Sequence, residues 1–400
     1  MIKRYALNFL FLISIVSMST ACNQARETAS TSIPVENIPT AHVANPTPTP
    51  VTASPTLTKV PSSTHIPTST LTAIPTNTQT PYLPADLDTI SPQNASKLKQ
   101  VAVLTDINAS VAAYSSDGRW LAIGIFRTNQ VKILDLANGE VSFTLNGHTD
   151  PRSIYYLAFS PDGARLASGA QGWDEPNDSL IIWDTSTGRE VQRFNGVVGA
   201  ISPDWHQVAL TQREREQANT LILYDLTSGE KMHTLDAPGE IYGISFSPQG
   251  KQVAATMYSV YQDLFSFWWV DSGQLDRTLY DWVGFTYSAD SRFIAAMVDI
   301  DTGDKGELNT LDAGTFKWLK TLAKDVDTLW YATPAFSPDG QVLAASRGDK
   351  VTLWDTETWK ELIDIPTNGP TGIVFSPDGR LLSTSSLSGD LGLWGVPGGG

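Results

Sequence analysis

The chain has 400 residues, 41% of them apolar and 17% charged, with twelve tryptophans and a single cysteine. Its formal net charge of −15 and isoelectric point near 4.7 repel phosphate backbones and anionic headgroups, so nucleic acid is not expected as a partner. One cysteine excludes an intrachain disulfide and any zinc site built on several thiolates.

Residues 1–22 have the layout of an export signal. Lys3 and Arg4 precede a mostly apolar stretch from Leu7 to Val16, and small residues lead to Cys22. The stretch is shorter than the roughly 20 apolar residues of a comfortable transmembrane helix. Met18-Ser19-Thr20-Ala21-Cys22 resembles the lipobox of bacterial lipoproteins, departing from it at Ser19, where leucine is usual. The resemblance implies lipidation of Cys22 and a location at the cell membrane, on the extracytoplasmic side, with the bilayer touched only through that anchor. Ser19 and Ala21 also suit ordinary signal-peptide cleavage, so simple secretion stays open.

Residues 23–95 carry no apolar period, and from Thr28 to Pro84 more than half are Thr, Pro or Ser. Such a stretch cannot bury enough surface to offset its ordering entropy, which predicts a disordered, polyproline-like linker. It would serve as a stalk for a folded head or as a neutral tether.

From residue 96 a strand–turn–strand unit recurs. Phe159-Ser160-Pro161-Asp162-Gly163 returns at Phe246 to Gly250, Phe336 to Gly340 and Phe375 to Gly379, with weaker copies at Tyr114 to Gly118, Ile201 to Trp205 and Tyr287 to Ser291. The fourth residues of successive copies are spaced 45, 42, 45, 41, 49 and 39 apart, near the roughly 40–45 residues of a four-stranded propeller blade. Proline sets the first corner of the turn, aspartate accepts nearby amides and glycine supplies the positive φ. A second signature closes each third strand: Leu134-Asp135, Trp183-Asp184, Tyr224-Asp225, Trp268-Trp269, Leu311-Asp312, Trp354-Asp355 and Trp394-Gly395.

Seven such pairs in phase with seven turns resemble the WD40 repeat family over about 300 residues. The resemblance implies an all-β, seven-bladed β-propeller over 96–397, followed by a Gly tail at 398–400. It also implies a buried His–Ser/Thr–Trp–Asp network in each blade. Only Gly147-His148 with Ser168, Trp183 and Asn177 or Asp178 fits that pattern, so the repeats are degenerate. The last repeat reaches its third strand at Trp394, and Lys99 to Leu104 reads as the orphan fourth strand that would close the ring.

The long loops, at 171–179, 211–219, 257–263 and 298–307, all connect second to third strands and so belong to one face, the top, in blades 2 to 5. With the inter-blade loops they present Arg152, Tyr155, Trp173, Asp174, Arg213, Arg215, Tyr258, Tyr261, Trp282 and Trp330 as candidate ligand-binding residues. Aromatics with arginine are the chemistry of a protein-binding hot spot. Asp299, Asp301, Asp304 and Glu307 form a weak candidate calcium loop, in which Gly303 takes the place of the third acidic ligand of an EF-hand. No other cofactor is expected.

His148, His206 and His233 fall on different blades, and neither a Gly-x-Ser-x-Gly elbow nor a phosphate loop is present. The chain therefore reads as a monomeric, non-enzymatic scaffold binding a protein, a peptide or an envelope ligand. A propeller hydrolase using top-face carboxylates and a calcium-stabilised structural envelope protein are the alternatives.

Overall fold

The computed structural model describes residues 82–148, 154–170, 180–196, 199–214, 218–258, 263–299, 305–327 and 333–398. The leader, Cys22 and most of the linker lie outside these residues. The described strands form seven antiparallel sheets, the blades of a β-propeller.

Blade 1 comprises the strands Ala109–Tyr114, Trp120–Ile125, Gln130–Asp135 and Glu140–Asn146. Blade 2 runs from Ile154–Phe159 to Glu190–Phe194, blade 3 from Gly199–Ile201 to Lys231–Asp236, and blade 4 from Glu240–Phe246 to Leu275–Tyr280. Blade 5 runs from Trp282–Tyr287 to Trp318–Asp327 and blade 6 from Ala335–Phe336 to Glu361–Pro366. Blade 7 has three strands of its own, Pro370–Phe375, Leu381–Ser386 and Leu391–Pro397. Its fourth is Lys99–Leu104, which pairs antiparallel with the last, Leu104 opposite Leu391 and Lys99 opposite Gly395.

The recurring turn earns its composition. In six blades the serine hydroxyl donates to the turn aspartate, as Ser160 does to Asp162 at 2.5 Å and Ser337 to Asp339 at 2.6 Å. The same serine accepts the amide five residues on, such as Arg165 N–H at 2.9 Å, which ties the first strand to the second. Where glycine is missing, Trp205 and Ser291 take the left-handed conformation themselves, at φ 58° and 56°.

Apolar faces of adjacent blades make the core. Ala122, Ala167, Ala209, Ala254, Ala295 and Ala344 occupy one register position in six second strands, each buried, because the sheets crowd closest there. Blade 7 places Ser383 at that position, and it hydrogen-bonds the Tyr114 hydroxyl of blade 1. Between blades 1 and 2 the packing is Val131, Ile133 and Leu145 against Ile154, Leu166 and Trp183.

Two expectations are corrected. Residues 82–95, assigned to the linker from composition, belong to the folded body: Leu87–Asp88 pairs with Val396 and Pro397, and Ile90 is fully buried with its N–H on Gly379 O at 2.9 Å. Tyr82 lies flat on Gly139, where a Cβ would fall 2.3 Å from the ring. In blades 1 and 3 the fourth strand supplies such a contact to the next blade, Phe143 on Gly188 and His233 on Gly273. Blade 7 has only Ala102 at that register, and Tyr82 fills the gap.

The second correction concerns the long loops of blades 3 to 5, which are largely β-ladder. Arg213 pairs with Asn219, Tyr258 with Asp263 and Asp299 with Gly306, so the hairpins run beyond the core and leave only short tips. Their polar residues, as in Gln212-Arg213-Glu214, show no apolar alternation in the sequence and so conceal the strand pattern.

Candidate functional site: the channel mouth between blades 7 and 1

Residues of the inner strands of blades 1 and 7 line a cavity of about 500 Å³, bounded also by Tyr155 of blade 2 and Thr333 before blade 6. Its rim is made by two four-residue turns joining second to third strands. Phe126 begins one and Leu387 the other, with fractional exposures of 50% and 51%. Backbone bonds fix both turns: Phe126 N–H to Asn108 O at 2.7 Å, Asn108 N–H to Gly389 O at 2.7 Å, and Leu387 N–H to Gly369 O at 2.9 Å. The Arg127 guanidinium stands 5.2 Å from the Phe126 ring centre, within cation–π range.

The walls combine apolar side chains with small hydroxyls that already have partners. Val111, Ile154, Ile373, Val374 and Leu391 supply the first kind. Ser110 donates to Ile154 O at 2.8 Å or Gly124 O at 3.0 Å, and Thr371 to Ser385 Oγ at 3.0 Å. The wall therefore asks for little hydrogen bonding from a guest and favours an apolar group. Among the described lining residues there is no carboxylate or imidazole. The arrangement can bind an apolar group.

Tyr155 lies at the back of the cavity with its hydroxyl committed to blade 3, accepting from Gly199 N–H at 2.6 Å and donating to Gly199 O at 3.0 Å. Tyr156 does the same with Ile201, at 3.1 Å each way. The first strand of blade 3 has only three residues, and these hydroxyls stand in for missing ladder bonds. Burial pushes the Tyr155 hydroxyl pKa well up, and that of Tyr156 to about 12, so both stay neutral donors.

The other candidates from the sequence fall elsewhere. Trp282 is buried at 5% exposure against Phe265 and Phe285, with ring centres 6.3 and 6.2 Å away, and props blades 4 and 5 apart. Arg213, Tyr258 and Asp299 sit on the projecting hairpins, where their backbones alone are described. Arg152, Trp173, Asp174, Arg215, Tyr261, Trp330, Asp301 and Asp304 lie outside the described residues. Glu307 faces the Lys324 ammonium at 3.3 Å. Among the described residues no three His, Cys, Asp or Glu side chains gather as metal ligands would.

The structure also contains the one buried polar network the sequence allowed. His148 Nε2 lies 2.7 Å from Ser168 Oγ, which accepts the Trp183 indole N–H at 2.8 Å, all three residues being buried. Asn177 and Asp178 lie outside the described residues. Blade 7 repeats the indole half, Trp394 Nε1 donating to Thr384 at 2.8 Å. Phe126 and Leu387 were missed because their turns are short; the signal was an apolar residue nine positions after the turn aspartate, where blade 6 has Gly348.

Seven antiparallel blades, the last completed by the strand Lys99–Leu104, define a β-propeller of the repeat-built kind. The family model described as WD domain, G-beta repeat, matches residues 139–184 and 363–395. Periodic tryptophan protein 2 of Arabidopsis thaliana is 22% identical over 301 residues, which is 71% of this chain and 26% of that protein. Eukaryotic translation initiation factor 3 subunit I of Pyricularia oryzae is 26% identical over 110 residues, 27% of this chain and 30% of that protein. The chain thus aligns with less than a third of either curated relative.

Among solved structures, Kuenenia stuttgartiensis hydrazine synthase superposes with a TM-score of 0.57 at 17% identity, covering 72% of this chain and 95% of that one. The Cps50 (Swd1) β-propeller domain of Myceliophteria thermophila gives 0.56 at 18% identity, covering 75% and 99%. At such identities the likeness is one of fold. The chain has the fold of a seven-bladed β-propeller, and two of its stretches match the WD domain, G-beta repeat model.

Proposed function

We propose that this propeller is a membrane-tethered, extracytoplasmic scaffold that seizes a protein or peptide partner at the mouth between blades 7 and 1. The WD40 propeller is a protein-interaction fold, and such scaffolds are typically not enzymes. The observation that carries the reading is the cavity with two half-exposed apolar residues, Phe126 and Leu387, on its rim. A large apolar side chain of the partner would enter between them, its backbone facing Arg127 and the turn carbonyls. The tether rests on Cys22 and its lipobox-like surroundings.

The test is a crosslinked pulldown from intact cells with the full chain. Phe126→Ser with Leu387→Ser is expected to lose the partner, since each replaces an exposed side chain without touching the core. Loss of the partner instead with Trp173→Ala and Arg213→Ala would move the site to the hairpins of blades 2 and 3 and overturn this placement.

A further inference from the structure

At one register position Asp135, Asp184, Asp225, Asp312 and Asp355 accept amides of the turn that follows, as Asp355 does from Glu357 and Thr358 at 2.9 and 2.7 Å. Blade 4 puts Trp269 there, 43% exposed. An indole cannot cap the turn, so this blade gives up a stabilising contact and shows water a large apolar ring. In blade 5, Trp318 is 45% exposed at the register that holds Glu190, Lys231 and Glu361 in blades 2, 3 and 6. These are the two exposed tryptophans among the described residues.

The two indoles belong to one surface. Phe267, two residues before Trp269, meets Phe316, two residues before Trp318, at 5.1 Å between ring centres, and Arg277 covers the Phe316 ring at 4.0 Å. Leu275 and Leu319 add exposures of 56% and 45%. Lys251, whose carbonyl holds the Val270 amide, and Lys317, beside Trp318, have no carboxylate within salt-bridge distance among the described residues. Exposed apolar patches on a soluble body mark contact surfaces. Indoles, leucines and lysines together are the chemistry of a bilayer interface, where tryptophan sits at headgroup depth and lysine reaches anionic phosphates.

We infer that this lower outer rim of blades 4 and 5 docks on an anionic lipid bilayer. Of the acids on the rim itself, Asp276 is ion-paired with Arg277 at 2.8 Å and Asp312 accepts the Thr315 amide and hydroxyl. That leaves the exposed Asp271 against Lys251 and Lys317, and acids more than a Debye length of about 8 Å away are screened at physiological salt. Tyr82, the first described residue, rests on the Gly139 turn of blade 1, the equivalent of the blade 4 turn beside Trp269, so the described chain starts on the face that carries the rim. Lipid anchoring alone holds a protein near the membrane; the rim would hold it in one orientation, with the cavity mouth turned outward. The inference goes beyond the partner site and survives its failure.

The test uses the full chain carrying Cys22→Ala, so that no acyl chain contributes, and vesicles of phosphatidylcholine with phosphatidylglycerol. Trp269→Asp and Trp318→Glu install residues that other blades already use, so the double variant should fold. Co-sedimentation is expected to fall about tenfold per indole removed, and parent emission to shift to the blue on binding. Trp269→Asp is expected to leave the melting temperature unchanged or higher. A parent that ignores the vesicles, a double variant that binds equally, or indoles buried instead in a dimer by sedimentation velocity would each overturn the inference.

Discussion

Blades 2 and 4 are built on the same four strands and solve different problems. Blade 2 commits its polar residues to its own hydrogen bonds: Ser168 joins His148 to Trp183 in the interior, and at the surface Asp162 caps the first turn and Asp184 the second. Blade 4 has Ala255 where Ser168 stands, Gln249 for the first aspartate and Trp269 for the second. It holds itself by aromatic packing instead, Phe265 against Phe285 at 5.2 Å and Phe267 against Phe316 at 5.1 Å. A repeat fold therefore needs no single network in every blade. Apolar packing suffices, and a blade freed from its polar signature can offer its residues to solvent.

The largest expected difference between the two blades lies in the network. Ser168→Ala strands the Trp183 donor and a His148 ring nitrogen in a site with no water access, which should cost about 3 kcal/mol in urea unfolding. Blade 4 already lives with alanine at that position. A loss below about 1 kcal/mol would mean that packing, not hydrogen bonding, holds blade 2 as well.

A smaller difference should show in acid. The Ser160 hydroxyl holds the Asp162 carboxyl below its ordinary value, and Ser186 and Thr187 do so for Asp184. A carboxyl whose pKa is depressed by folding adds stability above its unfolded value and loses it as pH falls through the folded one. The melting temperature should therefore drop below about pH 4. Asp162→Asn with Asp184→Asn should flatten that drop, and Gln249→Asp should steepen it. Identical pH profiles for all three proteins would contradict the assignment of these turns as the acid-sensitive points.

Much of the ring is legible in the sequence because its rules are local. The spacing from Asp117 to Asp378 marks the blades, and Lys99 to Leu104 reads as a fourth strand by its likeness to Glu230 to Leu235 and because the last repeat reaches only its third strand at Trp394. What escapes is what lacks a period. Leu87, Ile90 and Tyr82 are isolated apolar residues in a Thr/Pro-rich context, and their burial depends on grooves made by residues some 300 positions away or by Gly139. The hairpin extensions escape because Gln212-Arg213-Glu214 shows no apolar alternation. Loop length drew attention to blades 2 to 5, whereas the cavity with described walls opens where turns are short and Phe126 and Leu387 are raised on rigid strands.

The most direct measurement places a photoreactive residue at position 387 of the whole 400-residue chain and irradiates intact cells that express it. A discrete protein adduct at 387, abolished by Phe126→Ser, is the expected result. No adduct at 387, with efficient capture from position 173 or 213, would contradict a binding mouth between blades 7 and 1.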